Sequence, residues 1–289
     1  PRARGRGAAY ADGDTVLNLT TVDNDVVVLY AQWSAHSYTV QFDPNGGVGS
    51  MPDQPMTFGT AANLDPNAFP LAGYDFTGWN TQPDGNGTSY ADGDSVQDLT
   101  TVDNGVVVLY AQWDPWMYTI LFLPNNSAAT GNMPNQCLVY DAPQPLDPIA
   151  YDVTGYHFTH WCTTASGSGG TDYQDGETVN LLLSHNGAVK RLFAQWAPNT
   201  YTVHFDPNGG TGGPMPDHGL TYDMADTLTP NVFTRQNYSF NGWNTQPDGL
   251  GTPYADGASV MNLTTGQGDV VILYAQWTAA TYTVVFDPH

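Results

Sequence analysis

The stretch Val106-Val-Val-Leu-Tyr-Ala-Gln-Trp113, followed across Asp114-Pro-Trp-Met117 by Tyr118-Thr-Ile-Leu-Phe122, decides the architecture. Both halves recur at one period. Ala-Gln-Trp ends at Trp33, Trp113, Trp196 and Trp277, and the Tyr-Thr runs begin at Tyr38, Tyr118, Tyr201 and Tyr282. Each landmark steps by 80, 83 and 81 residues, and Tyr-x-Asp-Gly keeps the same steps at Tyr10, Tyr90, Tyr173 and Tyr254. Trp79, Trp161 and Trp243 close a fourth shared segment, of the type Gly-Tyr-Asp-Phe-Thr-Gly-Trp. Self-similarity at a fixed period is the signature of a tandem array.

Working outward gives the layout. Residues 1–33 read as the C-terminal half of a repeat, 38–113, 118–196 and 201–277 as full repeats, and 282–289 as the first strand of a further one. Repeats one and three share DPNGG, MPD, GWNTQPDG and YADG, whereas repeat two has diverged and carries both cysteines. Four-residue linkers restrict how neighbours orient, which favours a semi-stiff rod over beads on a flexible string.

Within one repeat the pattern is β. Tyr38-Thr-Val-Gln-Phe42 alternates with period two and is β-branched and aromatic, so it reads as a strand. Asp43-Pro-Asn-Gly-Gly47 reads as a tight turn. A second strand follows Met51-Pro52, and Tyr74–Trp79 forms a third. Ala61 to Ala72 has room for one short helical turn. Val106–Trp113 is the most apolar run and reads as a central strand covered on both faces. A unit of about 80 residues buries only somewhat more than ~60% of its unfolded surface, so its core leans on large aromatics. The expected core tryptophans are Trp33, Trp79, Trp113, Trp161, Trp196, Trp243 and Trp277; Trp116, in a linker, is the one tryptophan outside a repeat slot. The fold class is therefore mainly β, with some α+β character: a tandem array of small sheet-based repeats.

Composition narrows the function. The chain of 289 residues has 28 acidic and 6 basic side chains, a net charge of −22. Glu177 is its single glutamate and Lys190 its single lysine. Nucleic-acid affinity comes from Lys and Arg on phosphates, so this balance excludes that class, and an anionic membrane surface with it. Charged residues at 12% are too few for a coiled coil, and 40% hydrophobic residues are too many for disorder. Gly (31) and Pro (21) predict many turns and few long helices. No run of 18 apolar residues reads as a membrane-spanning helix. The opening Pro1-Arg-Ala-Arg-Gly-Arg-Gly7 lacks the apolar stretch of a signal peptide, and the chain is expected to be a piece of something longer.

The combination YTVxFDPNGG, MP, YxFxGW, YxDG and LYAQW resembles the Listeria–Bacteroides repeat of internalin-type surface proteins, over nearly the whole chain from Ala8 onward. The resemblance implies a β-grasp, ubiquitin-like variant strung in tandem on large bacterial surface or secreted proteins, as stalk, spacer or adhesive segment. It implies no catalysis and brings no catalytic or ligand residues. Repeat two departs from the pattern at Leu123-Pro-Asn-Asn-Ser127 and after Trp161, which puts its loop conformations in question.

Each chemical candidate has a plainer alternative. Cys137 and Cys162 stand where repeat one has Pro55 and Asn80. Gained together, they read as a disulfide, worth roughly 3 kcal/mol for a loop of this length, or as two free thiols. His157, His160 and the two cysteines have the residue types of a zinc site. On a strand, however, His157 faces away from His160 and Cys162, so solvent-facing histidines are the better reading. Asp84, Asp92 and Asp94 are weak calcium candidates, as are the Asp12–Asp14 and Asp23–Asp25 loops. Calcium wants six to eight oxygens, and turn chemistry alone explains Asp-Gly and Asn-Gly. A lone lysine limits Lys–Asn isopeptide bonds to one repeat. No phosphate loop, nucleophile elbow, HExxH or paired-Glu arrangement occurs, so no enzymatic activity and no cofactor is expected.

The expected role is a non-enzymatic stalk, spacer or fibre-forming array at the cell surface or outside the cell, its partners being neighbouring repeats. From a radius of gyration near ~12 Å per unit, three repeats extend on the order of 90–100 Å. The alternative is a multivalent binding module for host glycan or protein. An exposed aromatic stripe would favour binding; buried aromatics favour scaffolding. The half-repeats at the two ends suggest a further possibility, head-to-tail pairing of the last strand with residues 8–33 of another copy.

Overall fold

The computed structural model describes residues 7–180, 183 and 185–287. The basic leader with Arg2, Arg4 and Arg6, and the final Pro288 and His289, lie outside the described residues. The chain divides into two compact units, Pro1–Phe69 with Gly78–Gln112, and Pro70–Thr77 with Trp113–His289.

Each repeat forms a five-stranded mixed sheet. Repeat one contributes β1 (Ser37–Asp43), β2 (Gln54–Thr57), β3 (Tyr74–Asn80), β4 (Ser89–Tyr90) and β5 (Gly105–Pro115), in the order β2-β1-β5-β3-β4. Repeat two contributes β6 (Met117–Leu123), β7 (Gln136–Val139), β8 (Tyr156–Cys162), β9 (Asp172–Tyr173) and β10 (Val189–Pro198). Repeat three contributes β11 (Thr200–Asp206), β12 (His218–Thr221), β13 (Tyr238–Asn244), β14 (Pro253–Tyr254) and β15 (Val270–Ala279). The same order holds in both, β7-β6-β10-β8-β9 and β12-β11-β15-β13-β14. First and last long strands pair in parallel in every repeat: Tyr38 faces Gly105, Thr119 faces Val189 and Thr202 faces Val270.

The alternation seen in the sequence sets the faces. In β1 the residues Tyr38, Val40 and Phe42 are buried and the intervening ones are not. The loops fold over this inner face, pinned by two-residue ladders, Ala62–Asn63 with Ser95–Val96 and their counterparts in the other repeats. A tryptophan sits at the centre of each core. Trp79 lies 4.7 Å from the Phe42 ring, Trp161 4.9 Å from Phe122 and Trp243 4.8 Å from Phe205. All three are at most 1% exposed, and truncating such a residue to Ala costs about 3–5 kcal/mol.

Three expectations need correction. Ala61 to Ala72 holds no helical turn. Pro66 and Pro70 push Asp65 and Phe69 out of the helical region, so the segment runs extended and seats Leu64 and Phe69 in the core. The central strand is covered on one face only: the loops reach Leu109 and Ala111, while Val106 is 56% exposed. Finally, Trp33 is 91% exposed. In a full repeat the Ala-Gln-Trp strand lies between the Tyr-Thr strand and the Gly-Trp strand, whereas residues 8–33 form no strand. Tyr282 and Phe286 are likewise exposed, and residues 281–287 form no strand. Trp113, Trp196 and Trp277 are half-buried, and the indole N–H of Trp196 and Trp277 donates to the carbonyls of Pro124 (2.7 Å) and Pro207 (3.0 Å).

Candidate functional site: the joints between repeats

The linkers are shorter than their sequence suggests. β5 runs to Pro115 and β6 starts at Met117, leaving Trp116 alone between them; Asn199 is similarly alone between β10 and β11. Every contact described for these two joints lies within the second unit.

A single linker residue is held on both sides by its backbone. The Trp116 N–H donates to the Gly73 carbonyl of the preceding repeat, and its own carbonyl accepts from the Tyr140 N–H of the following one, each at 2.8 Å. Asn199 repeats the arrangement with the Gly155 carbonyl and the Tyr222 N–H, again at 2.8 Å. Beside each bridge two tyrosine rings meet edge to face, Tyr74 with Tyr140 at 5.9 Å and Tyr156 with Tyr222 at 6.0 Å. Such a pair adds about 0.5–1.5 kcal/mol beyond the area it buries. The glycines are required here for two reasons. Gly73 and Gly155 have φ of +82° and +80°, and a Cβ on either would fall inside the tyrosine ring arriving from the next repeat.

The side chains around this shared frame differ. At the first joint the Asp75 carboxylate accepts from Trp116 Nε1 (2.7 Å) and Asn186 Nδ2 (2.8 Å), while the Trp116 ring packs 5.9 Å from Tyr140. Hydrogen bonds to an ionised carboxylate are about twice as strong as neutral ones. At the second joint Asn199 Nδ2 donates to the Thr265 carbonyl (2.7 Å), and Asn199 Oδ1 meets His157 Nδ1 (2.9 Å). There the Tyr156 hydroxyl donates to Asp223 Oδ2 (3.0 Å); this bond, with some burial, raises the phenol above its usual pKa near 10. Asn262 Nδ2 supports the same carboxylate from the other side (2.8 Å).

The residues singled out from the sequence do not gather into one site. Cys137 is exposed on the edge strand β7 and Cys162 buried on β8, with β6 and β10 between them. Three strand spacings amount to roughly 14 Å, twice what a disulfide spans, so the pair is two free thiols. His157 serves the second joint, and His160 lies 3.6 Å from Asp172. Among the described residues no group of three or more His, Cys, Asp or Glu side chains has the geometry to hold a metal. Asp84 accepts from the backbone and side chain of Asn86, which lowers its pKa, Asp92 from the Asn67 N–H and Asp94 from the Ala91 N–H. Each carboxylate holds a turn or loop.

The joint residues Gly73, Asp75, Tyr140, Gly155 and Tyr222 escape a reading of the sequence. One signal was available: Trp116 stands outside the repeat slots that the other seven tryptophans share.

Comparison with known proteins agrees with the array. Residues 38–112, 118–183 and 201–276 match the Listeria-Bacteroides repeat domain. A Gly-rich membrane protein of Evansella cellulosilytica is 27% identical over 286 residues, which cover 98% of this chain and 30% of that protein. A second membrane protein of the same organism is 27% identical over 257 residues, covering 87% and 34%. The chain thus spans about a third of these curated relatives. Likeness to the solved Bacillus anthracis TIE protein is slight, with a TM-score of 0.34 at 9% identity over 85% of this chain and 51% of that one.

Proposed function

This chain belongs to the Listeria-Bacteroides repeat family, and from that membership we propose that it is a non-enzymatic spacer segment of a larger bacterial surface or secreted protein. On this reading the working units are 38–113, 118–196 and 201–277, flanked by the half-repeat 1–33 and the opening strand 282–289. The second and third, which share one compact unit, hold one another at a set orientation. The observation that carries the reading is the joint: one linker residue, bonded to both neighbours, beside a tyrosine pair that recurs at the second joint. A flexible tether has no use for such fittings. Net charge of −22 keeps such a segment solvated and self-repelling.

The placement of the aromatics also supports a spacer over a glycan- or protein-binding module. Between residues 37 and 280 the exposed aromatics among those described are Phe58 and Tyr238, at 37% and 40%, too few for a binding stripe. Among the described residues no helix is long and apolar enough to cross a membrane. Antibodies raised against the chain test the placement: they are expected to label intact cells of the bacterium that carries it. Labelling only after permeabilisation would overturn the surface assignment, and saturable binding on a glycan or matrix-protein array would favour the binding module.

A further inference from the structure

Repeat three carries the outgoing half of a joint, with the tyrosine kept as Tyr238 but with Arg235, Asn237 and Ala280 replacing the residues around it. The backbone element is present: the Ala280 N–H donates to the Asn237 carbonyl at 2.8 Å, as Trp116 does to Gly73 and Asn199 to Gly155. Position 237, however, is asparagine at φ +62°. Its Cβ stands where Gly73 and Gly155 leave room for the ring of the next repeat's tyrosine. The face of Tyr238 is taken as well, since the Arg235 guanidinium sits 4.2 Å above its ring, where the earlier repeats have Leu71 and Val153. The linker residue is Ala280, which offers neither the indole of Trp116 nor the amide of Asn199.

We infer that Arg235, Asn237 and Ala280 close the third joint against an aromatic partner. With an asparagine Cβ and the Arg235 guanidinium in the place where the first two joints seat a ring, a repeat joined through Ala280 lacks that lock and turns more freely. The glycine before the tyrosine thus acts as the residue that specifies whether a joint locks, with asparagine specifying the unlocked form. The inference rests on joint geometry and not on cellular placement: it fails if all joints behave alike, even where antibody labelling of intact cells succeeds.

Importing the three residues into the second joint tests it in the whole chain. Spin labels on the exposed Cys137 of repeat two and on Leu250→Cys in repeat three (Leu250 is 81% exposed) report the distance across that joint. In the parent chain a narrow distance distribution is expected. Val153→Arg with Gly155→Asn and Asn199→Ala is expected to broaden it at least about twofold, and an equally narrow distribution would overturn the proposal. Should that variant lose its near-ultraviolet circular dichroism, Tyr222→Ala alone removes the ring without backbone demand. It too must broaden the distribution, and failure to do so is equally fatal.

Discussion

Replacing Asn80 with alanine removes a side chain that no solvent reaches and that makes four hydrogen bonds. Its Nδ2 donates to the Gly85 carbonyl (3.0 Å) and to Ser89 Oγ (2.9 Å), and its Oδ1 accepts from the N–H groups of Gln82 (2.8 Å) and Gly87 (3.0 Å). Together they hold the turn after β3 against the end of that strand. At about 0.5–1.5 kcal/mol per bond, and with two backbone donors left unpaired, the loss comes to about 3 kcal/mol. The asparagine belongs to the first unit, so the cost falls on repeat one. Amide hydrogen exchange followed by mass spectrometry resolves the repeats. Peptides over residues 105–112 are expected to exchange roughly a hundredfold faster, those over 270–276 at their former rate. Asn80→Asp keeps the oxygen that serves Gln82 and Gly87 but loses both donors, so about half the effect is expected. Less than a tenfold change for Asn80→Ala would refute the reasoning, because the turn would then hold without its anchor.

Three further outcomes follow from the joints and the thiols. The Tyr156–Asp223 bond favours the neutral phenol, so its stabilisation is whole below about pH 10 and is lost as pH rises through the raised folded value. The difference in thermal midpoint between the parent and Tyr156→Phe should therefore shrink above that pH; a difference constant to pH 11 would contradict it. One thiol, that of Cys137, should react promptly with a disulfide reagent and Cys162 only after unfolding; two fast thiols, or none, would count against the assigned positions. Trp116→Ala should destabilise the first joint by about 1–3 kcal/mol through the lost Asp75 bond and ring contact, read as faster exchange at 116–119 with the 105–112 core unchanged.

The repeats themselves were legible because period and alternation are one-dimensional signals. Tyr38-Thr-Val-Gln-Phe42 announces which residues face inward, and the structure buries the same alternate set. Loops and joints were not legible, since each depends on what a residue meets far along the chain. Asn80 enters the sequence only as the counterpart of Cys162, yet its worth lies in four partners up to nine residues away. Gly73 reads as one glycine among 31 until Tyr140 fills the space above it. The cysteines misled for a related reason. Two substitutions in one repeat suggest compensation, but strand order, invisible in the sequence, puts two strands between them. Cys162 has taken the place of the anchoring asparagine and reaches Thr164 only through sulfur contacts of 3.4 and 3.5 Å.

The parallel pairing of the first and last long strands has a mechanical meaning. The chain enters each repeat at the start of β1, β6 or β11 and leaves at the end of β5, β10 or β15, so entry and exit lie at opposite ends of two adjacent strands running the same way. Tension along the polypeptide slides these strands past each other and loads the whole ladder, from Tyr38–Gly105 to Asp43–Tyr110 in repeat one, at the same moment. A hairpin pulled from its open end unzips one bond after another at low force. Strands in shear resist until the ladder ruptures together, which makes each repeat stiff to a pull applied at its two ends.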